Sequence, residues 1–237
     1  KRKKRMFELS QIKTMCEMQN SLNSQVHPEW TKQGWDWSIA IKMETSELVD
    51  SFQWKHWKSV NSKKADIDNA KVEWLDVLHF LLSADLEYWA LEGLSLDDSI
   101  VSITNDYNTC LERYTSKDET LSTLEHAKAF FKLDYSVCGM EKTMGTFFNI
   151  MNSLGMDTDE AYKGYITKNV LNQHRQANGY KEGEYHKIWI HGDEEVEDNV
   201  VAFVLAQGFE ADERLPRLLR SAIEEYYSKH AVRNNLL

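Results

Sequence analysis

Between Val72 and Leu82 the chain reads Val-Glu-Trp-Leu-Asp-Val-Leu-His-Phe-Leu-Leu, and its three polar residues, Glu73, Asp76 and His79, recur every third position. On a helix that spacing collects them on one stripe and leaves the remaining circumference apolar. A helix apolar on most of its surface belongs in a core, so the stripe is expected to be buried. Buried carboxylates without compensation are costly and tend to protonate, so a cation is the economical means of keeping them charged. A second acidic pair of the same spacing, Glu44-x-x-Glu47, lies upstream.

The rest of the chain repeats the helical pattern. Only 2 Pro and 10 Gly interrupt 237 residues, and 42% hydrophobic content is enough to build a core. We expect helices over about 7–24, 37–54, 66–91, 140–154 and 158–176, with Asp66 or Asp68 capping the third and Gly93 and Gly155 ending two of them. The fold class is all-α, a helical bundle read as a single domain over 1–237. Residues 94–137 are more polar and are the candidate for an inserted helical hairpin or flap. Residues 191–237 fit one or two peripheral C-terminal helices.

The formal net charge of −10 argues against direct nucleic-acid binding, which needs a basic face. Three scattered cysteines, Cys16, Cys110 and Cys138, outline neither a zinc site nor a disulfide framework, and a reducing cytoplasm is the expected location. No apolar run reaches the roughly 18 residues of a membrane span. The basic start Lys1-Arg2-Lys3-Lys4-Arg5 lacks a following hydrophobic region and does not read as a secretion signal.

Four carboxylates on two helices form an oxygen-only donor set, which suits Mg²⁺, with Mn²⁺ as a substitute, better than zinc. Antiparallel packing would bring the two pairs face to face. For Glu44 and Glu47 alone, an exposed acidic face is the competing reading. His79 is either a satisfied core donor or a lining residue of the same pocket. Far downstream, Lys168, Asn172 and Arg175 recur at i, i+4 and i+7 and run into Asn178-Gly179-Tyr180-Lys181-Glu182-Gly183-Glu184-Tyr185. That cationic face suits phosphate oxygens, a solvated basic face being the alternative. Lys55 and Lys58 would extend it, and Trp54 and Trp57 offer stacking or packing surfaces. Gln19 and Asn23, four apart on the first helix, form a donor and acceptor pair able to read a base edge, although such amides are common on helix surfaces. Acidic metal ligands combined with a cationic face match metal-assisted hydrolysis of a phosphoanhydride.

Glu44-x-x-Glu47, Trp54-Lys55-His56-Trp57-Lys58, Glu73-x-x-Asp76 with His79, and the motif from Lys168 to Tyr185 resemble the dimeric dUTPase family of all-α nucleoside triphosphate pyrophosphohydrolases. The resemblance spans about residues 10–190. It implies hydrolysis of dUTP and dUDP to dUMP by a homodimer whose subunits both shape the active sites. By the same resemblance Glu44, Glu47, Glu73 and Asp76 bind Mg²⁺, and Glu44 or Glu47 serves the attacking water, with Asp50 in support. Lys168, Asn172, Arg175 and Lys181 bind phosphates, with Lys55 and Lys58 alongside. Gln19, Asn23, Trp57, His79, Asn178 and Tyr185 are the base and sugar candidates. A dCTPase-like or MazG-like enzyme is the nearest alternative; a di-iron carboxylate protein is the alternative of another class, disfavoured because such sites pair E-x-x-H motifs.

Overall fold

The computed structural model describes residues 6–52, 54, 55, 57, 65–113, 121–135 and 139–231. Nine α-helices and one two-stranded sheet occur among them. The class is therefore all-α, as expected. The chain comprises two compact units, Lys1–Ala161 and Tyr162–Leu237.

The first unit is built around α3 (Ile67–Leu91), which packs against α1 (Leu9–Val26), α2 (Trp37–Asp50), α4 (Leu96–Arg113) and α6 (Met140–Ser153). Asp66 caps α3 by accepting from the Asn69 amide at 3.0 Å, the role its sequence position suggests. The helix buries Ala70, Trp74, Leu75, Val77, Leu78, Leu81, Leu82 and Leu86. Trp74, fully enclosed, stacks on Phe147 with ring centroids 4.4 Å apart and donates its indole N–H to the Phe147 carbonyl. That arrangement places a large apolar area inside while satisfying its one polar atom.

One expectation is corrected in this unit. The second helix stops at Asp50 rather than reaching Trp54, because Trp54 Nε1 and Lys55 Nζ both turn back onto the Asp50 carboxylate. The segment 94–137, expected as an inserted helical hairpin or flap, carries two helices: α4 and α5 (Thr123–Phe131) both pack on α6, and α4 also on α1 and α3. Ile100, Ile103, Tyr107, Cys110 and Leu111 of α4 form a buried stripe, with Ala127 and Phe130 on α5. The stripe is diluted by polar neighbours, which hides it from a reading that looks for apolar runs. Cys138 lies outside the described residues.

In the second unit most of α7 (Thr158–Ala177) is followed by a loop and by strands β1 (Ile188–His191) and β2 (Glu194–Glu197). The two helices expected at the end are α8 (Asp198–Gln207) and α9 (Leu215–His230). The antiparallel hairpin, with Trp189 opposite Val196, was not foreseen. Its signal is short: a β-rich Ile-Trp-Ile run closing on Gly192 at φ 64°. Trp189 is fully buried near Tyr226 and Tyr227 of α9.

One packing contact in the first unit has a pH signature. Tyr107 of α4 donates to Asp85 Oδ2 of α3 at 2.7 Å, and Asp85 is enclosed enough that desolvation pushes its carboxyl up to about 7. The nearby Asp106 adds to the rise, while the Tyr107 hydrogen bond opposes it. The unfolded carboxyl titrates near the ordinary ~3.9. Between these values the folded chain holds a proton that the unfolded chain releases, so this contribution to stability is present below about pH 4 and is lost as pH rises through about 7. Asp85→Asn keeps an acceptor for Tyr107 without the charge. Urea denaturation at pH 5 and pH 8 is expected to show a smaller decline in stability toward high pH in the variant than in the wild type.

Candidate functional site

Residues from α2 and α3 meet at an acidic cluster. One carboxylate oxygen each from Glu44, Glu47 and Glu73 lies within 4.8 Å of the others. The helix ends beneath them are stitched together: the Asp66 amide donates to the Ser51 carbonyl at 2.8 Å, and Asn69 Nδ2 donates to Ser51 Oγ at 2.9 Å. Ser51 Oγ in turn donates to the Glu47 carbonyl. Backbone and small polar groups thus help to hold the E-x-x-E and E-x-x-D turns in register.

Asp76 is on α3 one turn beyond Glu73, but it is not among the three groups that converge. The expectation of a buried stripe is also corrected. Glu44, Glu73 and Asp76 are half-buried and Glu47 is exposed, while His79 alone is buried. The apolar circumference of α3 is covered by its neighbours, and the carboxylate edge is left partly open to water, so the desolvation cost is smaller than the sequence suggests. Three oxygen donors at this separation fit a hard divalent cation.

Further along α3, against α1, lies a buried polar knot. Gln19 Nε2 donates to Asn23 Oδ1 at 3.1 Å and to Ser83 Oγ at 2.9 Å, and Asn23 Nδ2 donates to Ser83 Oγ at 3.0 Å. Ser83 passes its own proton to the His79 carbonyl at 2.9 Å. His79 Nδ1 donates to the Leu75 carbonyl at 2.8 Å, which fixes the ring along the helix. Gln19, Asn23 and His79 are therefore brought together, and the two amides are interior groups rather than surface ones. Ser83, the hub, escaped the sequence reading. Its signal was a lone hydroxyl one turn after His79 in an apolar segment.

Other predicted residues are distributed differently. Lys55 is paired with Asp50 and lies over the Trp54 ring, and Trp57, 61% exposed, meets Trp54 edge-on. Lys58 and His56 lie outside the described residues. In the second unit, Lys168, Asn172 and Arg175 are half-buried on α7, and Lys181 is exposed on the following loop. Asn178 folds back to donate to the His174 carbonyl at 2.8 Å, where α7 ends. Gly179 follows at φ 82°, and a side chain there would come within 2.9 Å of Glu184 Cβ, so the tight return of the loop requires glycine at this position. Arg175 makes a two-point contact with Asp198, and Tyr185, buried, donates to the same carboxylate. Asp198 was not recognised from the sequence; it sits twenty-three residues beyond Arg175 with no spacing rule to connect them.

The family model described as dUTPase matches residues 11–180. The chain belongs to the dUTPase family. The match covers well over half of the sequence, and its all-α architecture agrees with the helical order seen here. dUTP diphosphatase activity follows at the level of the family. Among curated proteins, none matches the chain. Among the described residues no helix is long and apolar enough to cross a membrane.

The polar knot yields a stability test. Ser83→Ala leaves the buried Gln19 and Asn23 amide donors without their shared acceptor. Gln19 Nε2 keeps its bond to Asn23 Oδ1, whereas taking the Ser83 acceptor from a buried donor such as Asn23 Nδ2 costs about 1–3 kcal/mol. A decrease of that size is expected in urea denaturation monitored by tryptophan fluorescence.

Proposed function

We propose that the chain hydrolyses dUTP, and dUDP, to dUMP in a Mg²⁺-dependent reaction, with Mn²⁺ as a substitute. The physiological result would be less uracil in DNA and a supply of dUMP for thymidylate synthesis. The observation that carries the reading is the convergence of Glu44, Glu47 and Glu73 oxygens on two adjacent helices in a chain of the dUTPase family.

In this proposal Glu44, Glu47 and Glu73 would hold the metal, with Asp76, one turn beyond Glu73, as the fourth carboxylate of the set. The bound metal would neutralise phosphate charge and lower the pKa of the attacking water. Glu44 or Glu47 orients that water and accepts its proton; Glu47, the more exposed of the two, has the freer approach. Lys168, Asn172, Arg175 and Lys181 bind the phosphates, with Lys55 and Lys58 assisting. Gln19, Asn23, Trp57 and His79 of the first unit, and Asn178 and Tyr185 of the second, are the residues proposed for base and sugar recognition. We further propose a homodimer acting in the cytoplasm, or in the nucleus of a eukaryotic cell, on a small nucleotide rather than on nucleic acid.

A substrate panel with purified protein tests the assignment. dUTP is expected to turn over fastest with Mg²⁺, and EDTA is expected to abolish the reaction; faster turnover of dCTP would reject the uracil assignment. Glu47→Gln and Asp76→Asn are each expected to reduce pyrophosphate release by about 10²-fold or more, in the range for removing a charge stabiliser from a reacting centre. Unchanged far-UV circular dichroism would show the fold is intact. Near-normal turnover in both variants would remove the metal role.

A further inference from the structure

Asp198 is the first residue of α8 and is fully buried, 0% exposed. A carboxylate in that position requires partners, and it accepts three hydrogen bonds from two residues. Arg175 Nε donates to Oδ2 at 2.8 Å, Arg175 Nη2 donates to Oδ1 at 2.6 Å, and the Tyr185 hydroxyl donates to Oδ2 at 2.8 Å. Its place in the first turn of α8 adds the favourable end of the helix dipole. Its backbone amide donates to the Lys187 carbonyl at 2.8 Å, so the anchor is tied to the loop as well as to the helix.

The contact uses one edge of the guanidinium. Of the five N–H donors that arginine carries, Asp198 engages two; the Nη1 pair and one Nη2 proton remain directed elsewhere. Arg175 is partly exposed, with 19% of its side chain accessible. A planar fork clamped at its back edge presents its other edge in a defined direction, and less side-chain entropy is lost when an anion binds. Tyr185 is clamped in the same way. Burial and the adjacent carboxylate raise its phenol well above the usual range, which keeps the hydroxyl protonated and donating. Its ring stacks on Tyr227 of α9 with centroids 5.2 Å apart.

We propose that Asp198 is a positioning residue for phosphate recognition. Lying beyond the matched residues 11–180, it aims the guanidinium of Arg175 and fixes the Tyr185 end of the loop. The proposal rests on the phosphate role given to Arg175 above. It also separates orientation from charge, because a carboxylate that merely balanced the arginine would weaken its attraction for an anion.

The test uses Asp198→Asn, Asp198→Glu, Arg175→Ala and the Arg175→Ala/Asp198→Asn double variant. Each is measured for KM and kcat with dUTP and Mg²⁺, and for calorimetric binding of inorganic tripolyphosphate. Asp198→Asn is expected to raise KM and the tripolyphosphate Kd by about tenfold, the scale of one charge-assisted hydrogen bond, with kcat changed less than KM. Adding it to Arg175→Ala is expected to have no further effect on either. Asp198→Glu keeps the charge but displaces the fork, and it is expected to weaken binding too, carrying the test if the asparagine variant does not fold. Binding unchanged or tightened in a folded Asp198 variant overturns the proposal, as does an equal loss in the Arg175→Ala background. No nucleotide turnover by the wild type would reject the functional reading separately, because tripolyphosphate binding still reports whether Asp198 acts through Arg175.

Discussion

The first unit depends on how α3 divides its circumference. One arc must bury Trp74, Leu75, Leu78 and Leu82 against neighbouring helices, while another leaves Glu73 and Asp76 partly open to water. Both demands fall on the same turns of one helix, so a shift of one residue along α2 would spoil packing and carboxylate geometry together. The Ser51, Asp66 and Asn69 bonds secure that register at the open end of the helix pair. Trp37, donating to Glu87 at 3.0 Å, secures it at the other. The acidic cluster is thus a product of helix register, and it persists without help from mutual attraction among groups of like charge.

Much of this was legible because helical periodicity is a local property. The Asp66 cap, the span of α3 and the shared face of Gln19 and Asn23 all follow from residues within a few turns of one another. Features that depend on distant partners were not. Whether an amide on α1 is buried depends on Ser83, sixty-four residues away from Gln19, and the partner of Arg175 lies beyond a loop and a hairpin. The packing of α4 was hidden for a related reason: its apolar residues are interspersed with polar ones, and only the helices around it show that they line up inward. The degree of burial was overstated for Glu73 and Asp76 because periodicity identifies a stripe without saying which neighbour, if any, covers it.

The second unit solves a different problem. Here a single carboxylate is taken fully out of solvent, and the interior around it is aromatic: His174, Tyr185, Trp189 and Tyr227 meet mostly edge to face. Burial lowers the pKa of His174, which favours the neutral ring beside the ion pair. With the histidine neutral, Arg175 remains the cation that answers Asp198, and the pair is not set against a competing positive charge. The glycine at 179 lets the chain reverse closely enough for Tyr185 to reach the same carboxylate.

The amide knot of Gln19, Asn23 and Ser83 has an energetic implication for any ligand that approaches it. Its hydrogen bonds already exist in the empty protein, so an incoming group exchanges bonds instead of adding them, and the net gain is a small difference between similar quantities. A ligand that matches the pattern loses almost nothing in the exchange. One that displaces a partner without replacing it strands a polar atom in a buried setting, which is far more damaging than a missed surface contact. A preassembled network of this kind therefore favours rejection over attraction: its contribution to selectivity would come mainly from what it penalises.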